Sequence, residues 1–382
     1  MSYLGAVENR RVDGLLGDDR PVVDKAVLIH DDLDALRRQW SEIEAVPVLI
    51  EHRGEGIDHS WAGVDVRTLL RGEQSAGRFS AHDVVLEPGA GIAPHWFHDT
   101  HTYVLVVDGS VQLSVGNVTD VVGQHSLGFA PPKTRIGFRN TTDAPVTLIL
   151  VYSPAGADRA FGAAHDQWTR SQAADESVYQ TELERFGFHF DDGSLPNDTL
   201  TNAVAEPLEF EFTGEGDLER LRQEFLRRPA IPRLIRTTPH EFDATAAGTS
   251  RRKELIGGDD NSGHAMLNLL SGLPGFGAPP HHQPTEDEFF FITGGELEMA
   301  FGEEAALALR PSAMAFCPKN CTHGFFNRTE EEVRFVTLNA PAGHERAMAA
   351  VRTAMANGAT KEQLYELSVA GGFIFHSLDA LG

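Results

Sequence analysis

Two histidines, a glutamine and three acidic residues stand close together in PPHHQPTEDEFFFITGG, residues 279–295. His281 and Gln283 are two positions apart, so on a strand their side chains share one face. Residues 284–287 are typical of a turn, and Glu288 then opens a second predicted strand. Burying imidazole and carboxylate groups together is costly unless a cation or hydrogen bonds compensate them. This stretch is therefore a candidate metal site.

A third imidazole follows further along the chain. His323 comes after a predicted turn in FCPKNCTHGFFN, 316–327, and begins another strand. Three antiparallel strands of one barrel can bring His281, Glu288 and His323 to a single point, where two imidazoles and a carboxylate form the facial set that suits non-haem Fe(II). Gln283 can add an amide oxygen, which is a weaker ligand than imidazole. The alternative is a cluster of polar side chains satisfied by hydrogen bonds alone.

The elements that must position these residues occur twice. PGAGIAPH, 88–95, recurs as PGFGAPPH, 274–281, and SPAGADRA, 153–160, recurs within NAPAGHERA, 339–347. Further matching pairs follow in the same order along the two halves, which indicates a tandem duplication. The predicted organisation is an N-terminal arm at 1–21, a first domain at 22–195 and a second domain at 205–382.

Each half has the same predicted order of elements. An amphipathic helix opens it, with apolar residues at helical spacing such as Leu33, Leu36 and Trp40 in the first half. Short strands follow, punctuated by Gly and Pro at intervals of about 8 to 12 residues, and a helical tail closes the half. This pattern predicts an all-β barrel or sandwich with short flanking helices.

The second half resembles the cupins. That family carries the motifs G-x5-H-x-H-x3,4-E-x6-G and G-x5-P-x-G-x2-H-x3-N on a small double-stranded β-helix, or jelly roll. The matching positions are Gly275, His281, Gln283, Glu288 and Gly295 in the first motif, and Pro318, Asn320, His323 and Asn327 in the second. Gln283 stands where the family usually has its second histidine, and Asn320 where it has a turn glycine.

The resemblance implies a bicupin of two tandem jelly-roll barrels, all-β in class. The PAG-x-x-R segment after each barrel is similar to the tails of quercetin 2,3-dioxygenase-like bicupins. By resemblance the metal ligands of the second barrel are His281, Glu288 and His323, with Gln283 at the fourth position.

The first half departs from this pattern. His95 aligns with His281, while Phe97, Thr102 and Ile136 occupy the positions of Gln283, Glu288 and His323. His98 and His101 remain nearby, but no carboxylate or distant histidine completes a set with them, so we interpret them as polar residues of a loop and a strand end. We expect the first barrel to be structural or to hold an apolar pocket.

The predicted function is a mononuclear metal-dependent oxygenase, similar to the dioxygenases, that acts on a small enolic or phenolic compound in the C-terminal cupin. One divalent ion, with Fe(II) favoured over Ni, Mn or Zn, would acidify the substrate hydroxyl and hold it beside O2. Glu288 is the candidate catalytic base. Phe289, Phe291 and Met299 are predicted to supply apolar walls.

Two other functions stay open at this point. In a non-redox isomerase, cyclase or decarboxylase, the ion would only polarise a carbonyl, and the amide oxygen of Gln283 suits that chemistry. A non-catalytic bicupin would bind a ligand without any metal.

Composition limits the other partners. The chain of 382 residues has 56 Asp and Glu against 32 Lys and Arg, a formal net charge of -24, which opposes binding to nucleic acid or to an anionic membrane. The N-terminus lacks an apolar signal segment, and the only cysteines, Cys317 and Cys321, do not form a disulfide framework. We therefore expect a cytoplasmic protein, and exposed sheet edges with helical arms make a homodimer plausible.

Overall fold

The computed structural model describes residues 33–51, 56–171, 177–190, 195–237, 243–244, 250–302 and 305–376. The predicted arm at 1–21 lies outside these residues. The chain divides into two compact units, of which Gly54–Asn202 is the main part of the first and Thr238–Gly382 the main part of the second. Ala203–Ile231 also belongs to the second unit, and Pro232–Thr237 returns to the first.

The first unit begins with a helix, continues with antiparallel strands and two further helices, and ends with one more strand. Its strands are β1 (Val48–Ile50), β2 (Ile57–Trp61), β3 (Val64–Leu70), β4 (Ser80–Leu86), β5 (Gly91–His95), β6 (His101–Asp108), β7 (Ser110–Val115), β8 (Val118–Gly123), β9 (Leu127–Ala130), β10 (Ile136–Arg139), β11 (Val146–Ser153) and β12 (Arg233–Ile235). Its helices are α1 (Leu33–Ser41), α2 (Ala157–Ser171) and α3 (Ser177–Arg185), with short 3-10 helices at Gly72–Ser75 and Pro196–Leu200. One sheet has the order β12-β9-β6-β11-β4-β3-β2, and the other has the order β5-β10-β7-β8.

The second unit repeats this arrangement. Its helices are α4 (Asp217–Leu226), α5 (His344–Ala356) and α6 (Lys361–Ala370). Its strands are β13 (Asp243–Ala244), β14 (Ser250–Ile256), β15 (Met266–Gly272), β16 (Gly277–His282), β17 (Asp287–Gly294), β18 (Leu297–Phe301), β19 (Leu307–Leu309), β20 (Met314–Cys317), β21 (His323–Phe326), β22 (Val333–Ala340) and β23 (Ile374–Phe375). One sheet contains β20-β17-β22-β15-β14-β13 in that order, and the other is β19-β18-β21-β16-β23.

Strand order in both units is that of a jelly roll. Strands adjacent in a sheet are mostly distant in the chain, as β17 is from β22 and β16 is from β21, and these pairs are antiparallel. The first unit buries one continuous apolar core between its sheets, contributed by alternating residues of the strands. The predicted all-β class and the two tandem jelly-roll barrels are confirmed.

The predicted amphipathic helix opens each unit and packs onto a glycine. In α1 the buried Trp40 covers Gly72, where an added Cβ would lie 2.4 Å from the indole ring. In α4 the buried Phe225 covers Gly258, where an added Cβ would also lie 2.4 Å from the ring. An aromatic residue at the same turn of the helix therefore anchors it in both copies. Across the described ranges, no helix is long and apolar enough to cross a membrane.

Candidate metal centre

Three strands of the second barrel bring the predicted ligands together. His281 lies on β16, Glu288 on β17 and His323 at the start of β21. His281 is directly opposite His323 in the β16–β21 pair. All three side chains are buried, and one ligand-type atom from each lies within 4.8 Å of the others. Residues from two distant parts of the chain thus meet at one point inside the barrel.

The backbone around this point has two special features. Gly277 permits a close approach of β16 to β21, because a Cβ there would lie 2.4 Å from the carbonyl oxygen of Phe325. Asn320 precedes His323 in the turn and has a φ of 65°, a left-handed conformation that asparagine tolerates better than most residues. Asparagine in place of the cupin glycine is therefore compatible with this turn.

Backbone carbonyls determine the tautomers of both histidines. Nδ1 of His281 lies 2.8 Å from the carbonyl oxygen of Pro279, and Nδ1 of His323 lies 3.0 Å from that of Cys321. Because a carbonyl oxygen can only accept, each Nδ1 carries the proton and donates it. In the neutral form of each ring, Nε2 then has a lone pair, as in histidines that ligate metals.

The charges of the site follow from burial and contact. Burial lowers the pKa of His281 to about 3, so this imidazole is neutral at physiological pH. Burial acts to raise the pKa of Glu288, but the hydrogen bond and charge of His323 outweigh it and lower that pKa to about 2. Burial likewise opposes protonation of His323, while its contact with Glu288 raises the pKa of this imidazole. Glu288 is consequently a carboxylate at neutral pH.

Gln283 contacts the carboxylate of the site. Its side chain is buried, and its Nε2 donates a hydrogen bond of 2.7 Å to Oε2 of Glu288. Nε2 of His323 lies 3.1 Å from the same oxygen. In this arrangement the amide orients Glu288. Coordination by Gln283 stays a prediction.

This donor set fits a divalent cation. Nε2 of His281 is buried and has no hydrogen-bond partner in the part of the chain that the structure describes. Burying a nitrogen without a hydrogen-bond partner costs folding free energy. The hydrogen bonds within this cluster do not compensate that cost, because none of them involves this nitrogen. An ion held by His281, Glu288 and His323 would satisfy this nitrogen and balance the carboxylate. The residues present therefore suit a metal better than a closed polar cluster.

Strand alternation decides which phenylalanine faces the site. Phe290 lies two residues beyond Glu288 and shares its face, and its ring lies 5.9 Å from that of His323. The rings of Phe289 and Phe291 project from the opposite face, where they stack on each other at 5.9 Å. The sequence prediction that Phe289 and Phe291 line the pocket does not fit this geometry. Phe290 takes that place.

Met299 lies on the side of the barrel that carries His323. It is buried and stands opposite Phe325 in the β18–β21 pair. Because Phe325 is two residues from His323 on β21, all three side chains share one face of the sheet. The role of Met299 as an apolar residue lining the pocket remains a prediction, and its position supports it.

Two further aromatic residues close onto the site, and sequence reasoning did not assign them a role. The ring of Phe373 stacks on that of His281, with centroids 4.0 Å apart and an interplanar angle of 19°. Phe375 lies 5.9 Å from the same ring and pairs with His281 through β23 and β16. The repeat of FGFHF, 186–190, as GGFIF, 371–375, was the sequence signal that marked this segment.

A buried ion-pair network holds the turn that precedes Glu288. Glu286 is fully buried, with Arg222 of α4 paired to one carboxylate oxygen and Nδ1 of His344 at 2.8 Å from the other. Arg222 also donates to Oγ1 of Thr285 at 2.8 Å. Burial lowers the pKa of His344, but the charge of Glu286 outweighs this and raises it to about 8. The network thus ties α4 and α5 to the turn.

The arginine of this network has a counterpart in the first unit. Nε of Arg222 donates to the carbonyl oxygen of Ala342 at 3.0 Å. Nε of Arg37, at the matching position of α1, donates to the carbonyl oxygen of Ala155 at 2.7 Å. The two arginines match within the repeated DLDALRRQW and DLERLRQEF segments, which was the available sequence signal.

The first barrel has a different interior at the corresponding place. His95 is buried, and its Nδ1 lies 2.9 Å from the carbonyl oxygen of Ala93. Burial lowers the pKa of His95 to about 4. Its ring meets Phe97 edge-on at 5.4 Å, and buried Thr102 and Ile136 occupy the other ligand positions. A neutral imidazole among apolar and hydroxyl side chains offers no charge to a cation.

The other histidines of HWFHDTH lie apart from His95. His98 contacts Trp96 at 5.0 Å and His189 at 5.2 Å between ring centroids. His101 stacks on Phe129 at 6.1 Å. Within the described ranges, neither belongs to a group of three side chains that could hold an ion.

The comparisons agree with the tandem architecture. The cupin domain family model matches residues 82–152 and 271–339, one stretch in each unit. The second stretch contains His281, Glu288 and His323. No curated protein sequence matches the chain.

Solved structures align with the chain at low sequence identity. YlbA from E. coli aligns with a TM-score of 0.50 and 10% identity over 80% of this chain and 96% of that one. Procruciferin, an 11S globulin from Brassica napus, aligns at 0.49 and 10% identity over 80% and 86% of the two chains. Oxalate decarboxylase from Lactobacillus farciminis, as a formate complex, aligns at 0.47 and 13% identity over 84% and 96%. With a cupin domain in each half, the chain is a bicupin of the cupin superfamily.

Proposed function

We propose that the protein is a mononuclear metal-dependent oxygenase whose site lies in the C-terminal cupin and whose substrate is a small enolic or phenolic compound. The observation that carries this proposal is the buried convergence of His281, Glu288 and His323, with the Nε2 atom of His281 lacking any partner in the described chain. Two imidazoles and one carboxylate suit Fe(II) first, with Ni, Mn or Zn as alternatives.

The residues around the site have separable roles. A bound ion would act as a Lewis acid toward the substrate hydroxyl and leave positions open for substrate and O2. Gln283 and His323 both contact Oε2 of Glu288, so we assign Oε1 to accept the hydroxyl proton. Phe290 and Phe373 lie against the two imidazoles and exclude water from them.

A second candidate is a non-redox isomerase, cyclase or decarboxylase. It uses the same ligands and is favoured by Gln283, whose buried amide stands where cupins usually have a histidine. Oxygen-rich donor sets suit Mn or Mg better than histidine-rich ones do. In this case the ion would polarise a carbonyl without exchanging electrons.

Metal content and oxygen consumption test these proposals together. The purified chain is reconstituted anaerobically with Fe(II), its metal content is measured, and O2 uptake is followed with a panel of flavonols, catechols and β-diketones. We expect about one ion per chain in the wild type and in His95→Ala, and loss of the ion in His281→Ala. A wild type that takes up no metal would point to a non-catalytic binding protein. Metal binding without O2 uptake by any panel member would favour the non-redox candidate.

A further inference from the structure

Two buried amides lie on the sheet of the second barrel that carries Glu288. Asn339 on β22 stands directly opposite Glu288 on β17. Asn268 lies on β15, the strand on the other side of β22. Residues directly opposite each other in an antiparallel pair project from the same face of the sheet. The side chain of Asn339 is therefore a neighbour of the Glu288 carboxylate.

The hydrogen-bonding groups of these amides are unsatisfied. Asn339 is 1% exposed, and neither its Oδ1 nor its Nδ2 has a hydrogen-bond partner among the described residues. In the described part of the chain, Oδ1 of Asn268 also lacks a partner, while its Nδ2 donates to the sulfur of Met266 at 3.1 Å. Leaving a buried donor or acceptor unpaired is costly, so such groups usually have a partner or a function.

Asn327 shows what a structural asparagine looks like in the same barrel. It is equally buried, and its Nδ2 donates to the carbonyl oxygens of Gly272 at 3.0 Å and Glu331 at 2.7 Å. Its Oδ1 accepts from the backbone N–H of Thr329 at 3.0 Å. Asn327 thus holds a loop through a complete set of bonds. Asn339 forms no such bonds with the residues that the structure describes.

We propose that Asn339 is a substrate-binding residue of the metal barrel, with Oδ1 of Asn268 as an additional acceptor nearby. The proposal rests on the proposed function and narrows its substrate class. A primary amide presents one acceptor and two donors side by side. Its complement is a molecule with a hydroxyl next to a carbonyl, that is, an enol with an adjacent carbonyl group and not an isolated phenol.

The test compares Asn339→Leu with Asn327→Leu in the full-length chain loaded with Fe(II). The probes are maltol, which carries an enol hydroxyl beside a carbonyl, and phenol, which has a single hydroxyl. Their dissociation constants are measured by calorimetry, and thermal unfolding is recorded for each metal-free protein. The metal content of each variant is also measured. Because Asn339 is not a metal ligand, we expect its replacement to leave the metal content unchanged.

Asn339→Leu is expected to weaken maltol binding about tenfold, the effect of losing one good hydrogen bond. It should leave phenol binding nearly unchanged. Its unfolding temperature should equal or exceed that of the wild type, because leucine removes an unpaired polar group while keeping the same number and branching of heavy atoms. Asn327→Leu should unfold at a lower temperature, because it breaks a complete set of bonds.

Two results overturn the inference: equal maltol affinity in the wild type and Asn339→Leu, or a loss of stability in Asn339→Leu as large as that in Asn327→Leu. A wild type that takes up no metal would instead refute the proposed function. The comparison of maltol affinities in the metal-free proteins would then decide the role of Asn339 separately.

Discussion

The pair formed by His344 and Glu286 makes stability depend on pH in a direction that can be measured. Nδ1 of His344 lies 2.8 Å from Oε2 of Glu286, and both side chains are buried. Burial lowers the pKa of His344, yet the charge of Glu286 raises it from 6.5 to about 8. Arg222 pairs with the other oxygen of Glu286 and keeps this carboxylate compensated when His344 loses its proton. We therefore expect His344→Gln to change stability without leaving an isolated charge.

The size of the effect follows from the two pKa values of His344. A rise from 6.5 to about 8 corresponds to about 2 kcal/mol of folding free energy, at about 1.4 kcal/mol per pKa unit. Because the folded pKa exceeds the unfolded one, this contribution is fully present below about pH 6.5. It is lost as the pH rises through about 8. His344 is only 8% exposed, so solvent screening reduces the value little.

Urea unfolding of the wild type and His344→Gln between pH 6 and pH 9.5 provides the assay. The difference in unfolding free energy between the two proteins should shrink by about 2 kcal/mol from the acidic to the alkaline end of this range. His95→Gln is the matched control. Burial lowers the pKa of His95 to about 4, so its folded form stays neutral throughout, and its unfolded form is neutral above about pH 7.5. A constant difference between wild type and His344→Gln from pH 6 to pH 9.5 would refute the assigned coupling.

Three further predictions concern the metal centre. Gly277→Ala should destabilise the second unit by roughly 1–3 kcal/mol in thermal unfolding, because its Cβ meets a carbonyl oxygen of the neighbouring strand at 2.4 Å. Unchanged stability would show that the strands can separate without cost. Gln283→Leu should weaken metal affinity about 10- to 100-fold in a chelator competition, since Glu288 loses the hydrogen bond that orients it. An affinity equal to that of the wild type would exclude both orientation and coordination by Gln283. Phe373→Leu should speed metal loss to a chelator about tenfold, because the ring no longer stacks on a ligand imidazole, whereas Phe188→Leu, its counterpart in the first barrel, should not. Equal rates in the two variants would contradict a role for that stacking.

Much of the candidate site could be predicted from local spacing. A short turn joins β16 and β17, so His281 and Glu288 are close in the chain. Such a turn limits how far the two strands can diverge, and it therefore keeps the two side chains close in space as well. The side of the strand from which Phe290 projects could also be predicted from the sequence, because strand alternation places it on the same face as Glu288. The sequence prediction recognised the alternation but placed Phe289 and Phe291, rather than Phe290, on the pocket wall.

Other parts of the site depend on strand register, which the sequence does not display. Asn339 is next to Glu288 only because β22 pairs with β17 in one particular register, and a shift by one residue would turn its side chain to the other face. Phe373 reaches His281 only after α5 and α6 have returned the chain to the barrel. The predicted homodimer and cytoplasmic location stay predictions.

By itself the sequence determined the duplicated all-β architecture and the residue types of the candidate centre, because repeats, turn residues and motif spacing are local properties of the chain. Only the tertiary structure decided which atoms of those residues are free to bind an ion or a substrate and which are already engaged in hydrogen bonds. Nδ1 of His281 and of His323 donates to a backbone carbonyl, and Gln283 donates to Glu288. Asn339 has no hydrogen-bond partner among the described residues. These outcomes depend on hydrogen bonds and burial between segments far apart in the chain, and such contacts exist only after the sheets have paired.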